Sequence, residues 1–355
     1  MQTAEHNFGS NSGERGAVLI LILAMVAVLS ITAVSLVRVS ARNTITASAL
    51  LQKEQAELAA QSVIATGLVM LSQDDAEIDT FQEPWNRFSA AMQSLQHQVD
   101  GMTVSARILD ASSRFNLNSL GSITSEHDEA AQIFLRMLHH VFPTISKENQ
   151  MVLLWRIKDW IDGDTVEARW GRVETEAYAS TISDARPVNR AFVSMSEVYA
   201  AMKGTPFYPV VTSQPFGFFF TTHMRTKVNI NTATSVLLRS LFVDDAAGQD
   251  FAKDVAAKQN DEQAKLSGQW YIKSTYPKSA QSTLSAMGSC KSSVFFIDVV
   301  IGMPSVSVTR RVYVERSGTK VAVKFVDAFP VGELDKSGHW VQSEAELMKK
   351  SIKKG

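Results

Sequence analysis

The chain has 355 residues, of which 45% are apolar and 20% charged, and a formal net charge of −1. Such a chain holds enough apolar material for one large or two smaller cores. The near-zero charge excludes a bulk electrostatic footprint for nucleic acid or anionic lipid. The single cysteine, Cys290, excludes an internal disulfide and a multi-cysteine metal site.

Residues 1–16, MQTAEHNFGSNSGERG, are polar and rich in Gly, Ser and Asn, so they are expected to be unstructured. Residues 17–37, AVLILILAMVAVLSITAVSLV, carry no charge, and Ser30, Thr32 and Ser35 are their only polar residues. A helix of this length crosses about 30 Å of hydrocarbon. A buried core helix keeps a polar face, and this segment has almost none, so it reads as a transmembrane helix. A cleaved secretory signal has a shorter apolar core, about 7–15 residues, followed by a small-residue cleavage site. Here the run passes without Pro into residues 38–72, where Ile45, Leu50, Leu51, Leu58, Val63, Leu68 and Met70 recur at mixed three- and four-residue spacing. The pattern predicts one continuous helix of roughly 55 residues, about 80 Å long. Only Arg15 precedes the apolar run closely, while Arg38 and Arg42 follow it, so charge counting does not set its orientation.

Further along, 101–110 (GMTVSARILD) alternates as a strand does. Residues 127–162 show helical spacing in two segments, AAQIFLRMLHHVF and NQMVLLWRIKDWID. Ser194, with Glu197 three residues on, has a capping-box pattern. Asn231 or Thr232 is placed to cap a helix in KVNINTATSVLLRSL. Residues 242–290 are polar and alanine-rich, without a strand pattern. Strand character returns in SSVFFIDVVIG, VSVTRRVYVER and KVAVKFVD, which read as an antiparallel meander. The tail ends MKKSIKKG and is charged and loose.

A basic-containing leader, a Gly, and an apolar stretch running into an amphipathic helix resemble the type IV pilins and pseudopilins. The resemblance implies a prepilin peptidase cut between Gly16 and Ala17. Most of that family has Glu at the fifth mature position, where it neutralises a neighbour's free amine inside an apolar filament. Here the position is Leu21. The branch known to lack this Glu is the minor pseudopilin K family of type II secretion (the general secretion pathway). Further segments are similar to that family in order: Asp110 before Phe115-Asn116-Leu117-Asn118; Trp160-Ile161-Asp162 with Asp164; Gly171, Glu174, Glu176 and Tyr178; Arg186, Pro187, Asn189 and Arg190; Ser194 to Tyr199; and Asn229-Ile230-Asn231-Thr232-Ala233.

The resemblance implies an α+β, pilin-like fold: a long N-terminal helix packed on an antiparallel sheet, with a large inserted helical domain. The expected divisions are a cytoplasmic leader 1–16, a transmembrane helix 17–37, a periplasmic helix and first strands 38–120, a helical insertion 121–290, closing strands 291–330 and a charged tail 331–355. The sheet is expected from the 101–120 and 292–327 regions. The implied function is that of a non-enzymatic minor pseudopilin at the tip of the type II pseudopilus. It would initiate or cap the filament for export of folded proteins across the outer membrane. The implied location is the bacterial inner membrane, single-pass, with the C-terminal head in the periplasm. The implied partners are minor pseudopilins I and J, the prepilin peptidase and the inner membrane, with no nucleic acid.

Two other functions fit parts of the pattern. One is a type IV pilus minor pilin, which would lack the Trp-Ile-Asp and Asn-Ile-Asn-Thr-Ala segments. The other is a membrane-anchored periplasmic hydrolase working through the acidic cluster Asp162, Asp164, Glu174 and Glu176. Those four carboxylates offer hard oxygens of the kind Ca²⁺ takes, and the resemblance implies Ca²⁺ there. The alternative is that Asp162 and Asp164 only cap and terminate a helix. The VNINTA segment is also similar to the start of a DNA-binding helix-hairpin-helix, but Asp244 and Asp245 follow where a phosphate would sit. His139 and His140, on an amphipathic helix, read as surface or core residues against a metal or catalytic role, and Cys290, with no evident activating partner, reads as structural. The aromatic run 215–220 reads as a buried patch, or else as an exposed one for a partner.

Overall fold

The computed structural model describes residues 12–93, 101–169, 187–222 and 227–327. Helix α1 spans Ser12–Gln73, 62 residues. It therefore begins inside the segment expected to be unstructured. Residues 12–16 contain no Pro and abut a strong apolar helix, and extending an existing helix needs no new nucleus. Residues 1–11 lie outside the described residues.

The face that α1 lays on the sheet differs from the one its large residues mark. Ala56, Ala60, Val63, Gly67 and Leu71 are buried, Leu68 and Met70 are half-buried, and Ile45, Leu50, Leu51 and Leu58 are exposed. Small side chains let the helix lie close to the strands. A Cβ on Gly67 would stand 2.9 Å from Ile297 Cδ1 and 3.4 Å from Phe88 Cζ.

After α1, a 3-10 turn Pro84–Arg87 leads into α2, Phe88–Gln93. Trp85, Phe88 and Met92 are buried here against α1 and the sheet. Strand β1, Thr103–Asp110, alternates as expected, with Val104, Ala106 and Ile108 turned toward α1.

The chain then leaves the sheet at Asp110, earlier than the expected 120. Phe115, Leu117 and Leu120 join a separate, larger core. Phe115 packs on Phe134 and Phe220, with ring centroids 5.8 and 6.2 Å away. That core is built from β2 (Phe115–Asn116), α3 (Glu129–Val141), α4 (Lys147–Ile161), α5 (Met195–Met202), α6 (Tyr208–Val211), α7 (Gln214–Phe219) and β3 (Phe220–Thr221). It continues through β4 (Val228–Asn229), α8 (Ser235–Ser240), α9 (Asp245–Gln259), α10 (Lys278–Met287) and β5 (Gly288–Ser289). Two short parallel pairings, β2 with β3 and β4 with β5, tie distant stretches of it together.

Two caps differ from expectation. The N-cap of α8 is Thr234, whose side chain accepts from Leu237 N, because Asn231 and Thr232 are turned inward. At α5 the Ser194 side chain makes no capping bond. Glu197 instead accepts from Val193 N at 2.7 Å and pairs with Arg190.

The chain returns to the sheet as β6 (Val294–Gly302), β7 (Ser307–Ser317) and β8 (Lys320–Asp327). The order is β1-β6-β7-β8, all antiparallel, with Asp110 opposite Phe295 and Thr103 opposite Gly302. Strand β6 is buried on both faces. One face, with Phe295, Ile297, Val299 and Ile301, meets α1. The other carries Asp298, which is 0% exposed. It accepts from Arg311 Nε at 2.7 Å, Arg311 Nη2 at 2.8 Å and Arg107 Nε at 3.0 Å.

The fold is thus α+β: a long N-terminal helix on a four-stranded antiparallel sheet, with a helical unit entered between the first two strands of that sheet.

Candidate functional site

The apolar half of α1 has no protein cover. Leu19, Leu21, Leu29 and Leu36 are among many large residues more than half exposed. Helix α1 holds a stretch long and apolar enough to cross a membrane. In its second half, Leu51, Leu58 and Val69 are exposed at 66%, 62% and 53%. Their spacing places them on the side opposite Ala56, Ala60, Val63 and Leu71. The helix therefore has two apolar faces here, one filled by the sheet and one left open. Gly16 and Ala17 lie within α1, and Leu21 is exposed.

In the acidic segment, Asp162 is the C-cap of α4. Its Oδ2 accepts from Lys158 Nζ one turn back. Its Oδ1 is buried with no hydrogen-bond partner among the described residues. An orphaned carboxylate oxygen of this sort suits a hard cation, although the Lys158 ammonium already offsets part of the charge. Asp164 is exposed, and its Oδ1 accepts from Val166 N at 2.9 Å. Asn189, at φ 50°, donates to the Asp164 carbonyl. Asp159, one turn before Asp162, accepts from Ala168 N at 2.9 Å. Glu174 and Glu176 lie outside the described residues.

Of the other candidate residues, His139 is exposed and the rest pack. Phe216, Phe219 and Phe220 are fully buried, with Phe216 stacked on Phe220 at 4.5 Å, so the aromatic run is a core patch. Cys290 is buried, donates to the Gly268 carbonyl at 3.0 Å, and burial pushes its thiol up to about 11. His140 is half-buried, 3.5 Å from the Asp245 carboxylate. Burial, with Arg239 nearby, pushes its pKa down to about 4.

The motif residues Asp110, Asn229 and Thr232 meet in a buried polar joint between the sheet and the helical unit. Asp110 Oδ2 accepts from Thr232 Oγ1 and Ser292 Oγ at 2.5 Å each and from Asn229 Nδ2 at 3.1 Å. Its Oδ1 accepts from Ser112 N at 2.7 Å. Asn229 also donates to the Asp79 carbonyl at 3.1 Å and to Ser292 Oγ at 2.8 Å. Asn231 donates to the Leu266 carbonyl at 2.9 Å and accepts from Trp270 Nε1 at 2.8 Å. The segment read as a DNA-binding start is thus spent on internal bonds.

Next to this lies Arg316 of β7, 3% exposed. It donates to Asp74 Oδ2 at 2.8 Å and to Asp79 Oδ1. Asp79 Oδ2 accepts from Ser292 N at 2.6 Å. Glu83 Oε2 accepts from Trp85 Nε1 at 2.7 Å and Thr80 N at 3.0 Å. Burial, opposed by Arg316, raises Asp79 to about 8, and burial raises Glu83 to about 7. Burial also raises Asp74 and Asp110.

Against this fold, comparison with known families is specific. A family model described as type II secretion system (T2SS), protein K, matches residues 113–206. Residues 113–206 are thus similar to the protein K family of type II secretion. The type II secretion system protein K of Pseudomonas aeruginosa is 25% identical over 261 residues, which cover 70% of this chain and 74% of that protein. The fold matches a chain in the crystal structure of the GspK-GspI-GspJ complex of the type 2 secretion system from enterotoxigenic Escherichia coli, with a TM-score of 0.61. Identity there is 17%, over 78% of this chain and 97% of that one. The protein K match covers α3 to α5 and the acidic segment between them, so the resemblance seen at Phe115 to Asn118 and at Trp160 to Asp164 lies inside it.

Proposed function

We propose that this chain is a minor pseudopilin of a type II secretion system, assembling through α1 with pseudopilins of the I and J kind at the tip of the pseudopilus. The observation that carries this reading is the second apolar face of α1, where Leu51, Leu58 and Val69 stand open to solvent although the helix continues onto a folded head. Large apolar residues left exposed in a row along one helix face fit an interaction surface. Likeness in fold to a chain solved with GspI and GspJ supports partners of that kind.

In this reading, residues 17–37 anchor the chain in the inner membrane and the head lies in the periplasm. Prepilin peptidase removes residues 1–16, cutting between Gly16 and Ala17, and the new N-terminus is methylated. Leu21 in place of a carboxylate suits a subunit with no neighbour ahead of it, since an unpaired carboxylate in an apolar filament core is costly. The helical unit, set on top of the sheet, then blocks further addition. The role is structural, initiating or capping the filament. Calcium at Asp162 and Asp164, completed by Glu174 and Glu176, would fix the loop after α4.

The N-terminal mass of the chain, expressed with and without prepilin peptidase, tests the class. A peptidase-dependent start at Ala17 is expected. An uncut chain, or a cut beyond residue 37, refutes it. Leu51→Lys with Leu58→Lys tests the surface: co-purification with I and J pseudopilins should fall at least tenfold while the melting temperature stays within about 2 °C, since exposed substitutions change stability little.

A further inference from the structure

The joint between the sheet and the helical unit gathers an unusual charge set. Asp74 comes from the end of α1, Asp79 and Glu83 from the following loop, Asp110 from the end of β1, and Arg316 from β7. Carboxylate oxygens of Asp74, Asp79 and Glu83 all lie within 4.8 Å of one another. The helical unit contributes neutral groups, Asn229 and Thr232. The other charges nearby, Asp75, Glu77, Lys227 and Lys291, sit at the exposed rim, with Lys291 bonded to Glu77 and Asp75 acting on Asp74. Fully ionised, the joint would hold four carboxylates against one guanidinium, with Asp79 and Arg316 sealed from water. Like charges so close disfavour joint ionisation, and burial disfavours each charge alone.

We propose that this joint is a proton-dependent latch: the carboxyls around Arg316 hold the helical unit on the sheet while they retain a proton among them, and release it as the last proton leaves. The geometry makes the consequence specific. The residues that would carry the added charge also bond the two units, Asp79 through its backbone carbonyl to Asn229, and Asp110 through its carboxylate to Asn229 and Thr232. Repulsion inside the joint therefore acts across the boundary.

The sign follows from linkage. Asp79 and Glu83 bind protons more tightly in the folded chain than in the unfolded one. Their contribution is complete below the unfolded carboxylate range and is lost as pH rises through about 7 and about 8.

The test uses the full chain in detergent micelles. Its thermal midpoint should fall by about 5 °C between pH 6 and pH 9. Asp79→Asn, which has no proton to lose, should flatten that slope, and Glu83→Gln should flatten it in part. Amide exchange at 79–83 and 229–232, corrected for intrinsic pH dependence, should rise at pH 9 in the native chain only. If Asp79→Asn does not fold, the slope of Glu83→Gln decides. A native midpoint that is flat or rises from pH 6 to 9 overturns the proposal, as does a native-like slope in the variants.

Discussion

Replacement of Asp298 by Ala should unfold this protein at markedly lower temperature. The carboxylate sits on the central strand with no solvent exposure and takes three hydrogen bonds from Arg311 and Arg107. Burial pushes its pKa up, but Arg311 and then Arg107 outweigh burial and hold it below the usual carboxylate range. Removing one member of a buried pair leaves the other charge uncompensated, which costs about 3–5 kcal/mol. At about 2–4 °C per kcal/mol for a domain of this scale, the midpoint should drop by about 6–20 °C. The double change Asp298→Leu with Arg311→Met removes both charges. It should recover most of that loss, because apolar replacement of a buried pair is often neutral. Arg107, at 14% side-chain exposure and lining an open cleft of about 700 Å³, has a route to water. Circular dichroism melts of the full chain in micelles measure all three. A single-variant loss under about 1 kcal/mol, or a double variant that recovers none of that loss, would refute the argument. The pH dependence also separates this cluster from the joint: the Asp298 contribution is present above the unfolded carboxylate pKa and is lost as pH falls through its lowered folded value, on the acid side.

Three further outcomes are expected. Gly248→Ala should destabilise by about 1–3 kcal/mol in the same melts, because the new Cβ would stand 2.4 Å from the Arg239 carbonyl oxygen, a backbone atom that cannot turn aside. The Cys290 thiol should resist an aromatic disulfide reagent at pH 8 until the chain is unfolded, since it is buried and its pKa is pushed up to about 11. Calcium at about 1 mM should raise the midpoint if it binds the acidic segment, and Asp162→Asn should abolish that rise; an equal rise in the variant would place the ion elsewhere.

The long N-terminal helix, the strand at 101–110 and the three closing strands were legible because their signals are long and periodic. Asp110, Phe115 and the 229–233 segment stood out as points of resemblance, of which Phe115 lies within the matched residues 113–206. Their physical work, closing a polar joint and filling an aromatic core, became visible only in three dimensions. Two features escaped. Three of the buried positions of α1 are Ala56, Ala60 and Gly67, which carry little hydrophobic signal, so the larger but exposed Ile45, Leu50, Leu51 and Leu58 seemed to mark the face alongside Val63. The joint draws on Asp79 and Ser292 from irregular segments and on Arg316 from a strand whose alternation gave no cue to charge. Asp79 and Arg316 are far apart in sequence, and their pairing follows from the sheet bringing β7 over the end of α1.

The placement of the helical unit between β1 and β6 bears on how the head is assembled during folding. Those strands are hydrogen-bonded neighbours, with Asp110 opposite Phe295. A two-residue turn would close the same pair. Topologically the helical unit is one very long hairpin loop. Loop closure costs only about 0.6 kcal/mol per doubling of length, so even this detour adds roughly 3–4 kcal/mol if the loop is slack. A loop that has already folded, with Ser113 and Thr234 bonded and β4 beside β5, brings its two ends close beforehand. The sheet then meets a short gap in place of a long one. This geometry favours one order, helical unit first and β1 onto β6 second, in which a chain stalled after the first step would display β6, the most apolar strand of the sheet, with an unpaired edge.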